Sequence, residues 1–556
     1  MKKTIPLLLL CATSVMQMNA QEFLNLDGRL IPVADINHIR TSYQEHPQSL
    51  SILLKNDENI SIFTAALEAT GLIEELKHYL DNSYSVGNDS IDWTNPALLI
   101  YLAQEYDNVA YMEKRYIKST VFAETDQVFS TNGIQNLGDL RQYAKTVYDE
   151  MYPEDKDVTD EKDPRNSLNR FVAYHILPFD GAYYKLTCVD GPNTTILTQS
   201  FNRRVTDIRD YYETMMPHSL MKFSFPSGSA AGLYINRRGV QNREDQYGVF
   251  VRGALVMSEN DMATALPAGA TAVGPNGRYY YIDDIISYGK QTQQVVLNER
   301  MRMDASTLSP DFMTSGARGF EYKAFTDGKY AMGAGNNPNP LTNNAHCLAF
   351  KPGAVRNFTF NDDTHLHVRP RYLYFWSYEG DEVAIKGKFD VTVKLPPVPA
   401  GTYEVRLGTC VGFASRGIVQ FYVDNTAIGI PFDMRKDAID LFGWQSDNDL
   451  RLGASNEEEE EEAIATYDKT IHNLGWMKGP GDCCPLSQSY QTDMSFRNLN
   501  VTIRKVIATF TTDGKTDHYL RMRQMMESTN AEFPFDYIEL VPSSVYDNKE
   551  IPEDRW

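Results

Sequence analysis

The spacing of apolar residues changes along the chain. In the N-terminal part it follows the 3.6-residue helical period over 57–76, 96–106 and 137–148. This period predicts amphipathic helices. Between the second and third of these helices, residues 119–123 are an apolar run that predicts a buried strand, and Thr125 or Asp126 is placed to cap a helix that follows it. The sequence therefore predicts a mixture of helices and strands in this part.

Beyond these helices the pattern becomes strand-like. Segments rich in β-branched or aromatic residues lie at 183–188, 194–199, 249–257 and 278–282. After polar residues 291–294, short alternating segments follow at 388–395, 402–407, 418–423, 500–509, 519–525 and 537–541. Alternation is typical of antiparallel strands with one buried face. We therefore predict an α+β domain over 45–290 and an all-β jelly-roll sandwich over 300–545.

The first 20 residues have the pattern of a secretory signal peptide. Lys2 and Lys3 precede an apolar stretch over 5–15, and Ala20 offers a small residue for cleavage before Gln21. A lipid anchor on Cys11 is the alternative, although Leu8-Leu9-Leu10 lacks the small residues that such processing needs. We therefore expect an exported protein at the cell surface, in the outer membrane or in the periplasm.

Charge excludes one class of partner. The 53 Lys and Arg residues are outnumbered by 74 Asp and Glu residues, and the formal net charge is −21. A field of this sign repels polyanions, so nucleic acid is not an expected partner. Six consecutive glutamates at Glu457–Glu462 repel one another, and this predicts a solvated surface loop.

Four segments in order carry a resemblance to the fasciclin family. They are Phe63–Leu72, Thr120–Phe129, Tyr174–His175 and Asn276–Asp283. The sequence departs from the family pattern at Glu124, where Pro is usual, at Asp126, where Asn is usual, and at Tyr280, where His is common. The resemblance implies helices packed on a β-wedge, in a module used for adhesion and generally not catalytic. We interpret His175 as a partly buried side chain satisfied by hydrogen bonds, because its neighbours are apolar.

The C-terminal part resembles the galactose-binding-like jelly rolls that serve as carbohydrate-binding modules. The resemblance rests on residues 399–405, 417–424, 519–523 and 535–542. It implies binding of a polysaccharide or oligosaccharide. The combination with a fasciclin domain resembles accessory surface proteins of bacterial polysaccharide utilisation systems, which implies outer-membrane glycan transporter components as further partners.

The sequence offers no catalytic set that we can name. No nucleophile elbow, zinc-binding HExxH helix or phosphate-binding loop is present. Asp362, Asp363, His365 and His367 form the best metal candidate, but no further ligand can be assigned to them. We therefore predict a protein that is not an enzyme and has no metal and no cofactor.

Four aromatic residues are candidates for glycan contact, because sugar rings stack on aromatic faces. Trp444 and Trp476 lie in glycine-containing stretches that predict loops. Tyr374 and Trp376 lie in the aromatic run 369–378, where a strand with one core-facing side explains the pattern equally well. The principal alternative is a cell-adhesion or protein-partner module without affinity for sugar. An enzyme is the third hypothesis.

Overall fold

The computed structural model describes residues 23–26, 29–32, 43–84, 109–111, 114–187, 207–226, 232–239, 251–315, 347–369, 378, 382–481 and 496–547. The predicted signal peptide, the predicted helix at 96–106, the predicted strand at 194–199 and the candidates Tyr374 and Trp376 lie outside these residues. Within them, no helix combines the length and apolar character needed to cross a bilayer.

The described residues before 290 contain helices and strands, as predicted. In chain order they are β1 (Phe23–Leu26), β2 (Arg29–Pro32), β3 (Tyr43–Glu45), α1 (Leu50–Lys55), α2 (Ser61–Ala69), α3 (Leu72–Glu75), β4 (His78–Asp81), β5 (Val109–Tyr111), β6 (Ser119–Glu124), α4 (Asp126–Thr131), α5 (Leu137–Met151), α6 (Ser167–Tyr174), β7 (Ile176–Leu177), α7 (Tyr183–Thr187), β8 (Asp207–Glu213), β9 (Leu220–Pro226), β10 (Leu233–Ile235), β11 (Ala254–Val256), α8 (Glu259–Ala265), β12 (Val273–Gly274) and β13 (Gly277–Ile282).

The part beyond 300 was predicted to be all β, but it also contains helices. Its elements are β14 (Met301–Asp304), α9 (Pro310–Thr314), β15 (Cys347–Phe350), β16 (Phe358–Phe360), β17 (Thr364–Arg369), β18 (Glu382–Gly387), β19 (Asp390–Lys394), β20 (Gly401–Cys410), β21 (Ile418–Val423), β22 (Thr426–Asp433), α10 (Ala438–Phe442), α11 (Asp447–Arg451), α12 (Glu457–Asn473), β23 (Trp476–Lys478), β24 (Thr502–Thr512), β25 (Tyr519–Gln524), β26 (Glu532–Phe535), β27 (Tyr537–Pro542) and α13 (Ser543–Tyr546).

One large sheet organises the N-terminal part. Its strand order is β7-β6-β13-β11-β10-β9-β8, with β12 paired to β13. The central pair β6 and β13 is parallel, with Ser119 opposite Gly277 and Glu124 opposite Ile282. Helices α2, α5 and α6 pack on one another, and their buried apolar side chains belong to the same core as those of β6. The predicted strand at 119–123 and the predicted helix at 137–148 are therefore confirmed.

The Asn276-Gly277 pair joins three elements. Asn276 Oδ1 accepts a hydrogen bond from the Leu50 backbone amide, and its Nδ2 donates to the Leu76 and His78 carbonyls. Gly277 has a φ of 139°, and a Cβ at this position would lie 1.9 Å from the Ser119 carbonyl oxygen. A side chain here would therefore prevent β13 from pairing with β6.

His175 is hydrogen-bonded, as interpreted from the sequence, but it is fully rather than partly buried. Its Nδ1 lies 2.6 Å from the Phe171 carbonyl oxygen, and its Nε2 lies 2.8 Å from Glu124 Oε1. Both side chains are fully buried. Glu124, one of the departures from the fasciclin pattern, therefore holds the imidazole inside the domain rather than at its surface.

Three five-stranded sheets organise the C-terminal part. Their orders are β14-β27-β20-β24-β23, β16-β19-β25-β21-β22 and β5-β15-β17-β18-β26. Pairing is antiparallel except between β5 and β15. The predicted strand at 418–423 matches β21 exactly in its bounds. Phe421 of β21 and Phe389, which immediately precedes β19, both contact Phe533 of β26. Apolar side chains of the second and third sheets therefore share one core.

One prediction of a strand is wrong. Residues 183–187 form α7, although the aromatic and β-branched composition of 183–188 predicted a strand. Tertiary contacts explain the difference, because Leu186 is buried in the core and the Leu233 amide donates a hydrogen bond to the Tyr183 hydroxyl. Composition alone does not distinguish such a short buried helix from a strand.

Several contacts join the two parts across residues 290–300. Strand β5 pairs with β15, Lys394 Nζ lies 2.6 Å from Glu213 Oε1, and an Arg356 guanidinium nitrogen lies 3.5 Å from the Pro178 carbonyl oxygen. Residues 292–296 form a π-helical turn rather than an extended linker. The division at 290–300 stays a prediction, and these contacts identify the surface that it would separate.

Candidate functional site

Both predicted site residues within the described chain, Trp444 and Trp476, lie beside a group of three helices inserted between β22 and β23. We call these helices, α10–α12, the helical cap. Each begins at a side chain that accepts a backbone hydrogen bond: Asp437 for α10, Ser446 for α11 and Asn456 for α12. Such residues satisfy amide groups that a helix leaves without partners at its start.

The glutamate run Glu457–Glu462 lies in this cap and corrects another prediction. It forms the first turns of α12 rather than a loop. Asn456 Oδ1 accepts from the Glu459 amide at 3.0 Å. Negative side chains at a helix N-terminus interact favourably with the helix dipole, which offsets their mutual repulsion. Buried Ile464 and Ile471 then anchor the rest of α12 against the protein.

Trp444 occupies the loop between α10 and α11, as the sequence predicts. The preceding Gly443 has a φ of 73°, which reverses the chain after α10. The Tyr467 hydroxyl fixes this loop, because it donates to the Gly443 carbonyl at 2.9 Å and accepts from the Gln445 amide at 3.1 Å. Trp444 is half-buried. Its indole ring is therefore held by a rigid loop while part of it stays accessible.

Trp476 differs from its prediction because it is the first residue of β23 and not part of a loop. Its ring stacks on Phe442 with centroids 5.4 Å apart and contacts Phe432 edge-on at 5.2 Å. The Lys505 ammonium lies 4.2 Å from the ring centroid. These three contacts give the half-buried Trp476 a packing role beyond that of an exposed loop residue.

A charged network borders Trp444. Asp447 accepts hydrogen bonds from Lys478 Nζ at 2.7 Å and from Arg497 Nε at 2.6 Å, and Arg497 also contacts Asp468 at 2.7 Å. Burial acts to raise the pKa of Asp447, but Arg497 and Lys478 outweigh it and the pKa is lowered. Lys478 Nζ also lies 5.0 Å from the Tyr467 ring centroid and 5.8 Å from that of Trp444.

Lys505 has a different environment from Lys478. Its ammonium donates to the Gly475 carbonyl at 2.9 Å, and no carboxylate of the described residues lies within ion-pair distance of it. Burial lowers its pKa to about 8, because a low-dielectric environment disfavours the charged form. Sequence reasoning missed Lys505, Lys478, Tyr467 and Arg497. Their positions depend on strand register and helix packing, and the only sequence signal is their closeness to the two tryptophans.

A second concave site lies between the loop after β19 and the turn joining β24 to β25. Its cavity volume is about 10 Å³, and it is lined by Leu395, Val398, Phe510, Thr512, Asp517 and His518, among others. His518 Nδ1 donates to Asp424 Oδ2 at 2.7 Å. Ligand pockets usually measure about 300–1,000 Å³, whereas a cavity of about 10 Å³ holds at most one water molecule.

The predicted metal candidate does not form a ligand set in the described structure. His365 and His367 project from the same face of β17, with Lys386 of β18 opposite His365. His367 is buried, and burial lowers the pKa of His365. Among the residues that the structure describes, no cluster of three or more His, Cys, Asp or Glu side chains is arranged to hold a metal ion.

Comparison with known proteins gives no family assignment. No protein-family profile matches the sequence, and no curated protein sequence is significantly similar to it. Among solved structures, a Paenibacillus xanthan lyase is 11% identical over 30% of this chain and 11% of the lyase, with a TM-score of 0.17. The exo-β-1,3-galactanase of Phanerochaete chrysosporium is 12% identical over 29% of this chain and 23% of that enzyme, with a TM-score of 0.14.

A third structure, the insecticidal crystal protein Cry2Aa, is 9% identical over 75% of this chain and 69% of its own, with a TM-score of 0.19. The chain thus spans less than a quarter of the length of the first two proteins. At these TM-scores the similarities support no argument about fold or function.

Proposed function

We propose that the protein binds glycan through the face formed by Trp444, the helical cap and β23. The observation that carries this proposal is the arrangement of half-buried Trp444 on a fixed loop, beside the Asp447–Lys478–Arg497 network. An aromatic face can cover the apolar side of a sugar ring, while the more exposed carboxylates of the network, Asp447 and Asp468, accept hydrogen bonds from its hydroxyls.

We further propose the architecture and cellular role that the sequence resemblances imply. The N-terminal part would be a fasciclin-type module and the C-terminal part a jelly-roll module. The protein would be exported after cleavage behind Ala20, with a lipid anchor on Cys11 as the alternative. At the surface it would bind polysaccharide without turning it over, as an accessory to an outer-membrane glycan uptake system.

A glycan array probed with residues 21–556 tests the binding proposal. We expect binding to at least one polysaccharide or oligosaccharide class. Trp444→Ala should weaken it by about 1–3 kcal/mol, a range taken from nucleobases that stack on aromatic side chains. Ile430→Ala is the control, since it truncates an apolar side chain that is 87% exposed on β22. Failure of the folded protein to bind any glycan would reject the proposal.

One observation favours the alternative, a module that binds a protein partner. Several apolar side chains of β22 and the helical cap are exposed, with Ile430 at 87%, Leu452 at 79% and Leu474 at 63%. Exposed apolar side chains are typical of interaction surfaces when they form a contiguous patch, and these three lie on β22 or at the ends of helices of the helical cap. If this alternative holds, Leu452→Ser should abolish cell adhesion or partner capture while Trp444→Ala leaves it intact, and the glycan array should show no binding.

A further inference from the structure

Lys505 is half-buried, and its surroundings differ from those of the buried lysines Lys386, Lys394 and Lys478. Lys386, Lys394 and Lys478 lie 2.9, 2.6 and 2.7 Å from carboxylate oxygens of Glu532, Glu213 and Asp447, respectively. Lys505 instead donates to one backbone carbonyl and lies over an aromatic ring. A cation removed from water is unfavourable unless an anion or several hydrogen bonds compensate it.

The pairing of β23 with β24 fixes the position of the Lys505 side chain. Trp476 and Lys505 are directly opposite each other in the β23–β24 pair. The Gly475 carbonyl also accepts from the Val506 backbone amide, so the acceptor belongs to the same ladder. Gly475 has a φ of 81°, and a Cβ there would lie 2.9 Å from Lys505 Nζ. The chain therefore leaves space for the ammonium at this point.

The site is also open to a ligand. Lys505, Trp476 and Gly475 are each half-buried, and the adjacent Leu474 is 63% exposed. The ammonium has three hydrogens, and one of them is used by the Gly475 carbonyl. The remaining donors lie next to the indole of Trp476, which is joined through stacked Phe442 to the loop that carries Trp444.

We propose that Lys505 recognises an anionic group, a carboxylate or a sulfate, on the glycan, so that the protein selects acidic over neutral polysaccharides. This inference rests on the proposed glycan-binding function and specifies its substrate class. The anion would form a charge-assisted hydrogen bond with the ammonium while the sugar ring lies against the neighbouring aromatic side chains. The formal net charge of −21 opposes anions at long range, so recognition depends on this short-range contact.

The test is an array containing neutral, uronate-containing and sulfated oligosaccharides, probed with the mature chain and with Lys505→Gln. We expect the wild-type protein to bind acidic glycans, and Lys505→Gln to weaken this binding about ten-fold or more, as for loss of a hydrogen bond to a charged group. Lys505→Arg retains the charge and should retain the preference. Lys469→Gln is the matched control, since it removes an exposed lysine of α12. Uronate and sulfate spots identify which anion is recognised.

Each remaining outcome is decisive. Binding to neutral glycans alone, or acidic binding unchanged in Lys505→Gln, would overturn the inference and leave glycan binding standing. No binding to any glycan would overturn the proposed function itself. If circular dichroism shows Lys505→Gln to be unfolded, acetylation of the wild-type lysines followed by mass spectrometry replaces it. The bound acidic glycan should then protect Lys505 and not Lys469, and equal acetylation with and without glycan would reject the contact.

Discussion

At the residue scale, the two tryptophans differ in what their removal should change. Trp476 stacks on Phe442, contacts Phe432 and lies beneath Lys505. Trp444 lies on a loop fixed by Tyr467 and packs against the core with its ring 5.8 Å from Lys478 Nζ. From the sequence, both tryptophans are predicted to lie in loops. The structure assigns the larger share of packing to Trp476.

We therefore expect Trp476→Ala to lower the free energy of unfolding by about 2 kcal/mol, roughly half the range for fully buried aromatic residues. Trp444→Ala should change it by less than about 1 kcal/mol. Urea denaturation of both variants measures the difference. Equal destabilisation by the two substitutions would show that the ring contacts of Trp476 contribute nothing beyond those of Trp444.

Lys505 also predicts a dependence of stability on pH. Its pKa is about 8 in the folded protein, compared with 10.5 for a lysine that is fully exposed to solvent, as in the unfolded chain. Between these values the unfolded chain binds more protons, so the contribution of Lys505 to stability rises with pH across this window. The difference in unfolding free energy between wild type and Lys505→Met should therefore shift in favour of wild type from pH 8 to pH 10.5. A constant difference over that range would contradict the lowered pKa.

At the scale of elements, α12, the longest helix of the helical cap, depends on the residues at its N-terminus. Helix α12 begins with Asn456 and continues through glutamates, and only Ile464 and Ile471 of its residues are buried. Few packing contacts therefore compensate if α12 loses the hydrogen bond from the Glu459 amide to Asn456 at its N-terminus. His472 near its end donates to Glu404 of β20 at 3.0 Å, which ties the helix to the sheet.

Asn456→Ala should therefore destabilise α12 by about 1 kcal/mol, the usual effect of losing an N-cap. Hydrogen exchange should become faster in the first turn of α12 and stay unchanged in α5, which has its own cap at Asn136. The control Asn473→Ala alters the last residue of α12, where no cap side chain is involved. Uniform exchange in all three proteins would show that Asn456 does not support the helix.

The elements also show what the sequence could and could not predict. Strand β21 and helix α5 were predicted because alternation or helical spacing extends over enough residues to determine the element. The helical start of α12 was not predicted. The repulsion between its glutamates was considered alone, without the hydrogen bond to Asn456 and the favourable interaction with the helix dipole. Lys505 could not be predicted, because its role depends on a cross-strand register that joins residues 476 and 505. The loop position of Trp444 was correct because Gly443 marks the end of a helix.

At the scale of the whole molecule, the two parts share buried apolar residues and strand pairing. The core extends from Leu50 to Leu540 as one set of contacting side chains. Beyond this core, Arg115 donates to the Gly353 carbonyl at 3.4 Å and Lys185 to the Met313 carbonyl at 3.3 Å. Separation of the parts would remove these contacts together with the β5–β15 pairing.

Fragments 21–290 and 300–556 are predicted from the sequence to fold separately. The contacts between them lead us to expect a lower melting temperature for each fragment than for the intact chain, with partial recovery on mixing. Circular dichroism melts of the fragments, the mixture and the intact chain measure this. A fragment without a cooperative transition would show that the boundary at 290–300 is misplaced. Fragments as stable as the intact chain would show that the shared core contributes little.

The pairing of β14 with β27 has a consequence for biosynthesis. These strands align Met301 with Leu540, so β14, at the edge of its sheet, acquires this partner only after residues 537–542 have been made. Until then β14 and one edge of β20 present unpaired amide and carbonyl groups, which can pair with other chains. A polypeptide truncated before residue 537 would thus be prone to self-association.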